Sequence, residues 1–578
     1  MRPNQIAMTH ITSFTLSICR TLRGAAMRHP MATCTLVLAL LFIPWLGLTP
    51  FNTKGEPREA IVALSMLKSG NWILPVSLGE DIPYKPPFLA WCIAVFSLIG
   101  GEVTEFTSRL PSALAAIGLC IATLSMVRRA HPGGACALTT ALVLATSIEV
   151  WRAASACRVD MVLTFFIVEA CYLLYLYVER GCRNLPWGAI GCMTCAVLTK
   201  GPVGIILPSL VAGIFGLLRG RKLTLLLGRL SAAAALSLIV PAMWYVAAYH
   251  QGGEPFLNLA MEENFGRFLG KMSYDSHVKP LWYNFATITS GLLPYTIFLL
   301  FSAPAAIKAL RRTGLRERLR ALTPWQLYSV VAAVTVFVFY CIPKSKRSVY
   351  LLPVYPFAAY FITLLLIKLR DRWEARLFAR IMATVAIVLP VALWSFTALG
   401  WRVMRLLPHK AVASATAIAD GSVTPIAFVW LALCLLAGAA AWHLSRRRRA
   451  SRFPMVALLP VAAILLALSA SLLPPMLTSK SDRQVAAEVA RIVPEGPVYQ
   501  FISAPMLRFY TVNFYLGDRI WLFETHMPER GWLIIGENDI DLWREKYGAD
   551  YRANTVAIWD KPGCDTSSSP MLLRFSRR

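Results

Sequence analysis

The chain is dominated by apolar runs about as long as a membrane is thick. Fourteen can be recognised along its 578 residues, at about 31–49, 86–101, 109–127, 135–150, 161–178, 187–200, 203–218, 229–249, 286–308, 325–341, 350–367, 381–400, 424–443 and 454–473. An α-helix rises about 1.5 Å per residue, so about 20 residues cross the roughly 30 Å of hydrocarbon in a bilayer. Only 15% of the residues are charged, against about a quarter in soluble proteins. The sequence therefore predicts a mainly α-helical, multi-pass membrane protein.

The basic residues predict how the chain is threaded. Clusters follow every second run from residue 109 onward, at 128–131, 180–183, 219–223, 309–320, 367–380 and 446–452. Basic clusters between membrane helices favour the cytoplasmic side, which places the N-terminus there too. This pattern explains the net charge of +27 without a nucleic-acid partner, and none is expected because no binding motif accompanies it.

The alternation fails at the start unless one run does not cross. Run 86–101 is the best candidate, since it is short, begins with Pro86-Pro87 and ends with Gly100-Gly101. We expect it to form an interfacial or re-entrant helix on the outer side. Thirteen crossings remain, and an odd number places the C-terminal region outside, opposite the N-terminus.

The chain is predicted to have two domains. Residues 1–474 form the transmembrane domain, with residues 51–108 as a first outer loop carrying interfacial helices. Residues 475–578 are more polar and contain short β-rich strings at 497–502, 532–535 and 555–558. Two polar helical stretches, Asp482 to Arg491 and Asp541 to Tyr547, lie among these strings, so a soluble α/β domain is predicted here.

Some basic residues lie on the predicted outer side, against the cytoplasmic preference from which the topology is predicted. Lys344, Lys346 and Arg347 lie in an outer segment. A lipid phosphate or similar anion would explain them, and an ordinary solvated loop is the alternative. Asp160 lies at the edge of a span, where a carboxylate is costly unless it is paired or functional. A salt bridge to Arg158 or another outer base is its simpler interpretation.

Two further outer residues have both a functional and a simpler interpretation. Lys85 precedes two prolines, which fix the backbone where the interfacial helix begins; it could equally be an ordinary interfacial lysine. Lys200, at another outer turn, could serve a function or extend its ammonium to the water.

Seven short motifs, in order, resemble those of a known family. They are Gly55-Glu56-Pro57-Arg58-Glu59-Ala60, Tyr84-Lys85-Pro86-Pro87, Ser108-Arg109-Leu110-Pro111-Ser112-Ala113-Leu114, Ala156-Cys157-Arg158-Val159-Asp160, Leu198-Thr199-Lys200-Gly201-Pro202, Phe265-Gly266-Arg267-Phe268 and Lys344-Ser345-Lys346-Arg347-Ser348-Val349-Tyr350-Leu351-Leu352-Pro353. The first looks like the Asp-Glu-x-Arg-Tyr-Ala motif of the lipid A aminoarabinose transferases. These belong to the membrane glycosyltransferases of GT-C architecture, which use polyprenyl-phosphate sugars and include the protein O-mannosyltransferases. The resemblance covers about residues 30–360.

The resemblance implies a function and a location. A GT-C enzyme of this branch transfers 4-amino-4-deoxy-L-arabinose from undecaprenyl phosphate to lipid A phosphate groups, which gives resistance to polymyxin and other cationic peptides. The expected partners are the undecaprenyl-phosphate-linked donor, lipid A and membrane lipids. The active site and the C-terminal domain are expected on the periplasmic face of the bacterial inner membrane. Two alternatives stay open: a protein or another glycan as acceptor, and a transporter of lipid-linked sugar, although no inverted repeat typical of transporters is evident.

One position departs from the family motif. Gly55 stands where the family has its first acidic residue, so only Glu56 remains of the acidic pair. An acid there could serve as general base for a hydroxyl acceptor. A phosphate acceptor is already ionised and needs no such base, so the departure favours a phosphate. Either Glu56 or Asp160 could do the remaining acidic work, such as holding the ammonium of the sugar.

The predicted site therefore combines acids with a cluster of cations. The catalytic residues are predicted to be Glu56, Asp160 and Lys85. The residues predicted to bind the carrier phosphate are Arg58, Tyr84, Lys85, Arg267, Lys344, Lys346, Arg347 and Tyr350. Such cations can stabilise a departing phosphate without a metal, so no obligatory cofactor is predicted. A divalent metal is the alternative, and Glu263 and His277 are its candidate ligands.

Overall fold

The computed structural model describes residues 29–132, 134–266, 277–404, 409–446, 453–504, 507–566 and 568–578. Up to residue 478 this part of the chain is helical. Its α-helices are α1 Pro30–Phe42, α2 Pro57–Ser69, α3 Phe88–Gly100, α4 Glu105–Ala130, α5 Ala135–Ala145, α6 Ile148–Ala154, α7 Val159–Glu179, α8 Trp187–Lys200, α9 Val203–Leu218, α10 Leu223–Met261, α11 Trp282–Gly291, α12 Tyr295–Thr313, α13 Leu315–Arg320, α14 Pro324–Cys341, α15 Tyr355–Lys368, α16 Trp373–Met404, α17 His409–Ser422, α18 Pro425–Arg446, α19 Phe453–Ala467 and α20 Leu473–Thr478. The predicted mainly α-helical class is confirmed.

Short helices of other types join these α-helices. They are 3-10 helices at Ile43–Trp45 and Ser348–Val354, and π-helical turns at Glu262–Gly266 and Leu468–Leu472.

The described helices include many that are long and apolar enough to cross a membrane. Eight meet that test alone, and ten do if each of two bent pairs counts as one span. The bent pairs are α5 with α6 and α11 with α12, at 69° and 107°. Three shorter apolar helices also occur, at Pro30–Trp45, Phe88–Gly100 and Val203–Leu218. The chain is thus a multi-pass membrane protein, and the number of thirteen crossings stays a prediction.

Helix α3 has the length expected for a helix that does not cross. Its 13 residues extend from Phe88 to Gly100, which is about 20 Å at 1.5 Å per residue and shorter than the hydrocarbon core. Pro87 precedes its first turn, and Gly101 ends it with a φ of 81°, a left-handed conformation that glycine adopts readily. Both ends of this helix therefore follow from the local sequence.

The C-terminal region forms a small α/β domain, as predicted. Its elements are α21 Arg483–Ile492, β1 Val498–Phe501, α22 Tyr510–Tyr515, β2 Ile520–Leu522, α23 Phe523–His526, β3 Arg530–Gly536, α24 Ile540–Tyr547, β4 Tyr551–Ile558 and β5 Pro570–Arg577, with a 3-10 turn at Glu537–Asp539. The five strands have the order β2-β1-β3-β5-β4. The first three are parallel, and β5 runs antiparallel to both β3 and β4. Trp543 and Tyr551 are among the largest side chains buried in this domain.

The C-terminal domain packs directly on the first outer loop. The Asp518 carboxylate accepts hydrogen bonds from the Ser65 hydroxyl at 2.6 Å and the Leu78 amide at 2.9 Å. Arg508 forms an ion pair with Asp81 at 3.1 Å. Buried apolar side chains continue from the membrane helices through Phe51 to the domain. The loop that carries the first two family-like motifs therefore contacts the C-terminal domain as well as the membrane helices.

Candidate active site

Glu56 lies at the start of α2 and is held by three hydrogen bonds. The Arg109 guanidinium donates to its two carboxylate oxygens at 2.9 and 3.0 Å, and the Cys157 amide donates at 2.9 Å. Both charged side chains are buried, and Arg109 also donates to the carbonyl oxygens of Leu46 and Thr49. Burial alone would raise the pKa of Glu56, but Arg109 and the Cys157 amide hold it below its usual value. These contacts tie α2 to α4 and to the turn before α7, which favours a positioning role.

Lys85 and Arg58 share one carboxylate, that of Glu59. The Lys85 ammonium hydrogen-bonds to Glu59, and an Arg58 nitrogen lies 3.7 Å from the same carboxylate oxygen. Both cations lie over the ring of Tyr84, at 5.1 Å for Arg58 and 5.5 Å for Lys85. Burial lowers the pKa of Lys85 to about 8, and Glu59 opposes this shift. The Arg58 Nε is buried without a hydrogen-bond partner, so this group still has one donor to offer.

Asp160 is paired, but with a residue forty positions along the chain. Its carboxylate at the start of α7 accepts a 2.5 Å hydrogen bond from Lys200 at the end of α8. The Lys200 ammonium also lies 4.3 Å from the ring centre of Tyr350. The Asp160 carboxylate is close enough to Lys85 and Arg347 to interact with their charges. The structure thus brings together residues from four of the family-like motifs.

The space beside Gly55 is filled by a cation. A Cβ atom added to Gly55 would lie 2.3 Å from the Arg158 Nη2 atom, far inside van der Waals contact. Burial first and then the nearby Arg347 guanidinium lower the pKa of Arg158, while the carboxylates of Asp160 and Glu56 oppose the shift. Where the family motif has a carboxylate, this chain therefore has a guanidinium.

The segment 343–350 presents its basic residues in three different ways. Arg347 is half-buried and interacts with the charges of Arg158 and Asp160. Lys346 is buried, and its ammonium donates to the Pro343 carbonyl at 2.5 Å. Lys344 is exposed. Of the three, Arg347 is the one that contributes its charge to the site around Asp160.

The remaining predicted residues, Glu263, Arg267 and His277, lie beyond the end of α10. Arg267 lies outside the described residues. Glu263 interacts with the charge of Arg58, and the His277 carbonyl accepts from the Lys346 amide at 3.0 Å. Within the described residues, neither belongs to a group of three potential metal ligands in mutual reach. The metal ligands and every role given to the predicted site residues stay predictions.

A cleft of about 290 Å³ opens beside Lys85. Its wall includes Arg58, Glu59, Tyr84 and Lys85 from the first outer loop. The C-terminal domain and the end of α10 complete it, with Arg508, Tyr510, Pro255 and Leu259. The wall of the cleft carries three cations, Arg58, Lys85 and Arg508, and three carboxylates, Glu59, Glu80 and Asp81. Arg158 and Arg347 add positive charge near Asp160 and Lys200, outside the cleft wall. Lys85 and Arg58 can therefore offer donors to an anionic head group in the cleft.

Glu59 and Arg109 are not among the predicted site residues, although both lie in quoted motifs, and Lys200 has two interpretations from the sequence. Glu59 stands where the family motif has a tyrosine, so the resemblance gives it no acidic role. Arg109 lies in a quoted motif but at the start of an apolar run. The pairing of Lys200 with Asp160 could not be read from two residues forty positions apart.

Comparison with known proteins gives the same fold. The family model described as dolichyl-phosphate-mannose-protein mannosyltransferase matches residues 84–245. An uncharacterized protein of Aquifex aeolicus is 30% identical over 344 residues, which cover 59% of this chain and 74% of the relative. The crystal structure of ArnT from Cupriavidus metallidurans bound to undecaprenyl phosphate has a TM-score of 0.67 at 20% identity, covering 94% of this chain and 97% of ArnT.

A relative with a named activity also matches. The undecaprenyl phosphate-alpha-4-amino-4-deoxy-L-arabinose arabinosyl transferase of Shewanella sediminis is 28% identical over 326 residues, or 55% of this chain. The chain spans 56% of the length of that transferase. The fold defines a multi-pass membrane protein of GT-C architecture. The chain belongs to one family with the Aquifex protein, and the matches to the mannosyltransferase model, to the named transferase and to ArnT confirm its resemblance to the membrane glycosyltransferases.

Proposed function

We propose that this protein transfers 4-amino-4-deoxy-L-arabinose from undecaprenyl phosphate to phosphate groups of lipid A. The observation that carries the proposal is the cleft beside Lys85, where Lys85 and Arg58 lie together in the wall and the buried Arg58 Nε has no hydrogen-bond partner. A buried donor without an acceptor is costly, and a phosphate oxygen would satisfy it. The relatives named for the same transfer support this choice of donor.

The carrier phosphate binds at Lys85 and Arg58. In the transfer, the bond between the anomeric carbon and the carrier oxygen breaks, and its electron pair leaves with the phosphate. Negative charge therefore grows on that phosphate in the transition state, and cations already in place stabilise it. Both cations lie over the ring of Tyr84, which positions them, and Arg347 adds charge from the side of Asp160.

The acceptor is an oxygen of a lipid A phosphate, which attacks the anomeric carbon as the carrier leaves. It is already ionised at neutral pH, so no side chain has to remove a proton. The guanidinium of Arg158 beside Gly55 suits this acceptor, because it attracts an anion where the family motif has a carboxylate. The products are the modified lipid A and undecaprenyl phosphate, and no cofactor is required to balance the reaction.

The proposed location is the bacterial inner membrane, with the cleft and the C-terminal domain on the periplasmic side. The distribution of basic clusters between the apolar runs supports this orientation. Both substrates are lipids of that membrane, and their head groups would meet in the cleft. Less negative lipid A would bind polymyxin and other cationic peptides less well.

Reconstitution of the purified protein tests the proposal. The protein is placed in lipid nanodiscs with undecaprenyl-phosphate aminoarabinose and lipid A, and the mass of the lipid A is measured by mass spectrometry. We expect lipid A carrying one or more aminopentose units, and none when either substrate is omitted. A second arm replaces lipid A with a peptide rich in serine and threonine, because the mannosyltransferase family model favours a protein hydroxyl as the rival acceptor. Transfer to the peptide but not to lipid A would overturn the proposal.

A further inference from the structure

Glu59 is the carboxylate in direct contact with the cations proposed to bind the carrier phosphate. It lies in the first turn of α2, is mostly buried, and pairs with Lys85 and Arg58. The same side chain lines the 290 Å³ cleft. An acid in this position neutralises the cations that a phosphate would need, so its presence calls for an explanation.

The other nearby carboxylates are committed elsewhere. Both oxygens of Glu56 accept from Arg109, and one also accepts from the Cys157 amide. Asp160 is bonded to Lys200 at 2.5 Å and is not among the residues that line the cleft. Further out in the cleft, Asp81 is paired with Arg508 and Glu80 accepts a hydrogen bond from the Thr525 hydroxyl, while Glu263 is not among the residues that line the cleft. Glu59 is therefore the carboxylate best placed to meet a charge that enters beside Lys85.

The proposed donor carries two opposite charges in one head group. Its phosphodiester is an anion, and the amine of its sugar is a cation at neutral pH. A bound phosphate that takes the Lys85 ammonium leaves the Glu59 carboxylate without its closest partner. A buried carboxylate without a partner is strongly unfavourable, so this exchange favours a ligand that brings its own cation.

We propose that the Lys85–Glu59 pair is exchanged for the two charges of the donor, with the phosphate binding Lys85 and the sugar ammonium binding Glu59. Glu59 thereby makes the protein selective for a cationic amino sugar over its neutral analogue. This inference rests on the proposed function, since it uses that donor. Glu59 would then supply the acid that the family motif has at position 55, where this chain has Gly55 packed against the Arg158 guanidinium.

The test compares two donors in the wild type and in the Glu59→Gln variant. The donors are undecaprenyl-phosphate aminoarabinose and the same molecule with a hydroxyl in place of the amine. We expect the wild type to prefer the amine by about 10- to 100-fold in kcat/KM, the range left after solvent screens a partly buried pair. In Glu59→Gln this preference should fall to within about threefold of unity, because a neutral amide makes no ion pair.

Binding of undecaprenyl phosphate without a sugar is the second measurement. The Glu59→Gln variant should bind it as tightly as the wild type or more tightly, because Lys85 no longer has a competing carboxylate. Retained binding also shows that the variant is folded. Glu179→Gln is the matched control. Glu179 is also paired with an arginine, Arg219 at 3.0 Å, but it lies at the end of α7 that is far from Asp160 and the cleft. This variant should keep the preference of the wild type.

Two results would overturn the inference. One is a wild type that uses the neutral sugar as well as the amino sugar. The other is a Glu59→Gln variant that binds undecaprenyl phosphate yet keeps the full preference for the amine. Failure of the proposed function has a different signature, namely the absence of sugar transfer to lipid A from either donor.

Discussion

Replacing Glu56 by Gln separates a positioning role from a chemical one. The substitution keeps the shape of the side chain but removes the charge that faces Arg109. Two hydrogen bonds of 2.9 and 3.0 Å join these side chains, and both are buried. Removing one member of such a pair typically costs about 3–5 kcal/mol, because the other charge stays buried. We therefore expect Glu56→Gln to be substantially less stable than the wild type.

The assay is thermal unfolding of the purified protein in one detergent at one heating rate, followed by intrinsic fluorescence. Glu179→Gln is the control, since its pair with Arg219 is more exposed and a surface pair is worth about 0–1 kcal/mol. Adding Arg109→Met to Glu56→Gln should recover part of the lost stability, because the unpaired guanidinium is then gone. A Glu56→Gln protein that melts like the wild type but transfers no sugar would refute this reasoning and support a catalytic Glu56.

Three further predictions concern the cations of the site. Lys85→Ala should lower kcat by about 100- to 1000-fold, the usual effect of removing one group that stabilises developing negative charge, while the protein still inserts and folds; near-normal turnover in the mass assay would remove Lys85 from the mechanism. The kcat/KM of the wild type should fall as the pH rises through about 8, because burial lowers the pKa of Lys85 to that value and the ammonium form binds phosphate. In an active Lys85→Arg variant, the fall in kcat/KM should occur at higher pH. An unchanged pH profile would assign the titrating group to another residue. Gly55→Ala should reduce transfer, since its Cβ would overlap the Arg158 guanidinium at 2.3 Å, whereas Gly191→Ala, with open space around the added atom, should not.

Much of the fold follows from local patterns in the sequence. The strings at 497–502, 532–535 and 555–558 correspond to β1, β3 and β4, and the two polar helical stretches correspond to α21 and α24. Strand β2 has only three residues, and its short pattern did not stand out from its surroundings. Strand β5 begins at Pro570, and a proline, which has no amide to donate to a sheet, weakens the strand pattern.

The sequence alone determined that this protein lies in a lipid bilayer, and it determined which kinds of residue the site contains. Apolar runs of about twenty residues require lipid whatever their neighbours are, and the ordered motifs carry the cations and acids. The tertiary structure decided which charges meet: Glu56 with Arg109, Glu59 with Lys85, and Asp160 with Lys200. The physical reason is that hydrophobic burial is set by local composition, while an ion pair depends on distances between helix ends. Those distances exist only after the helices have packed.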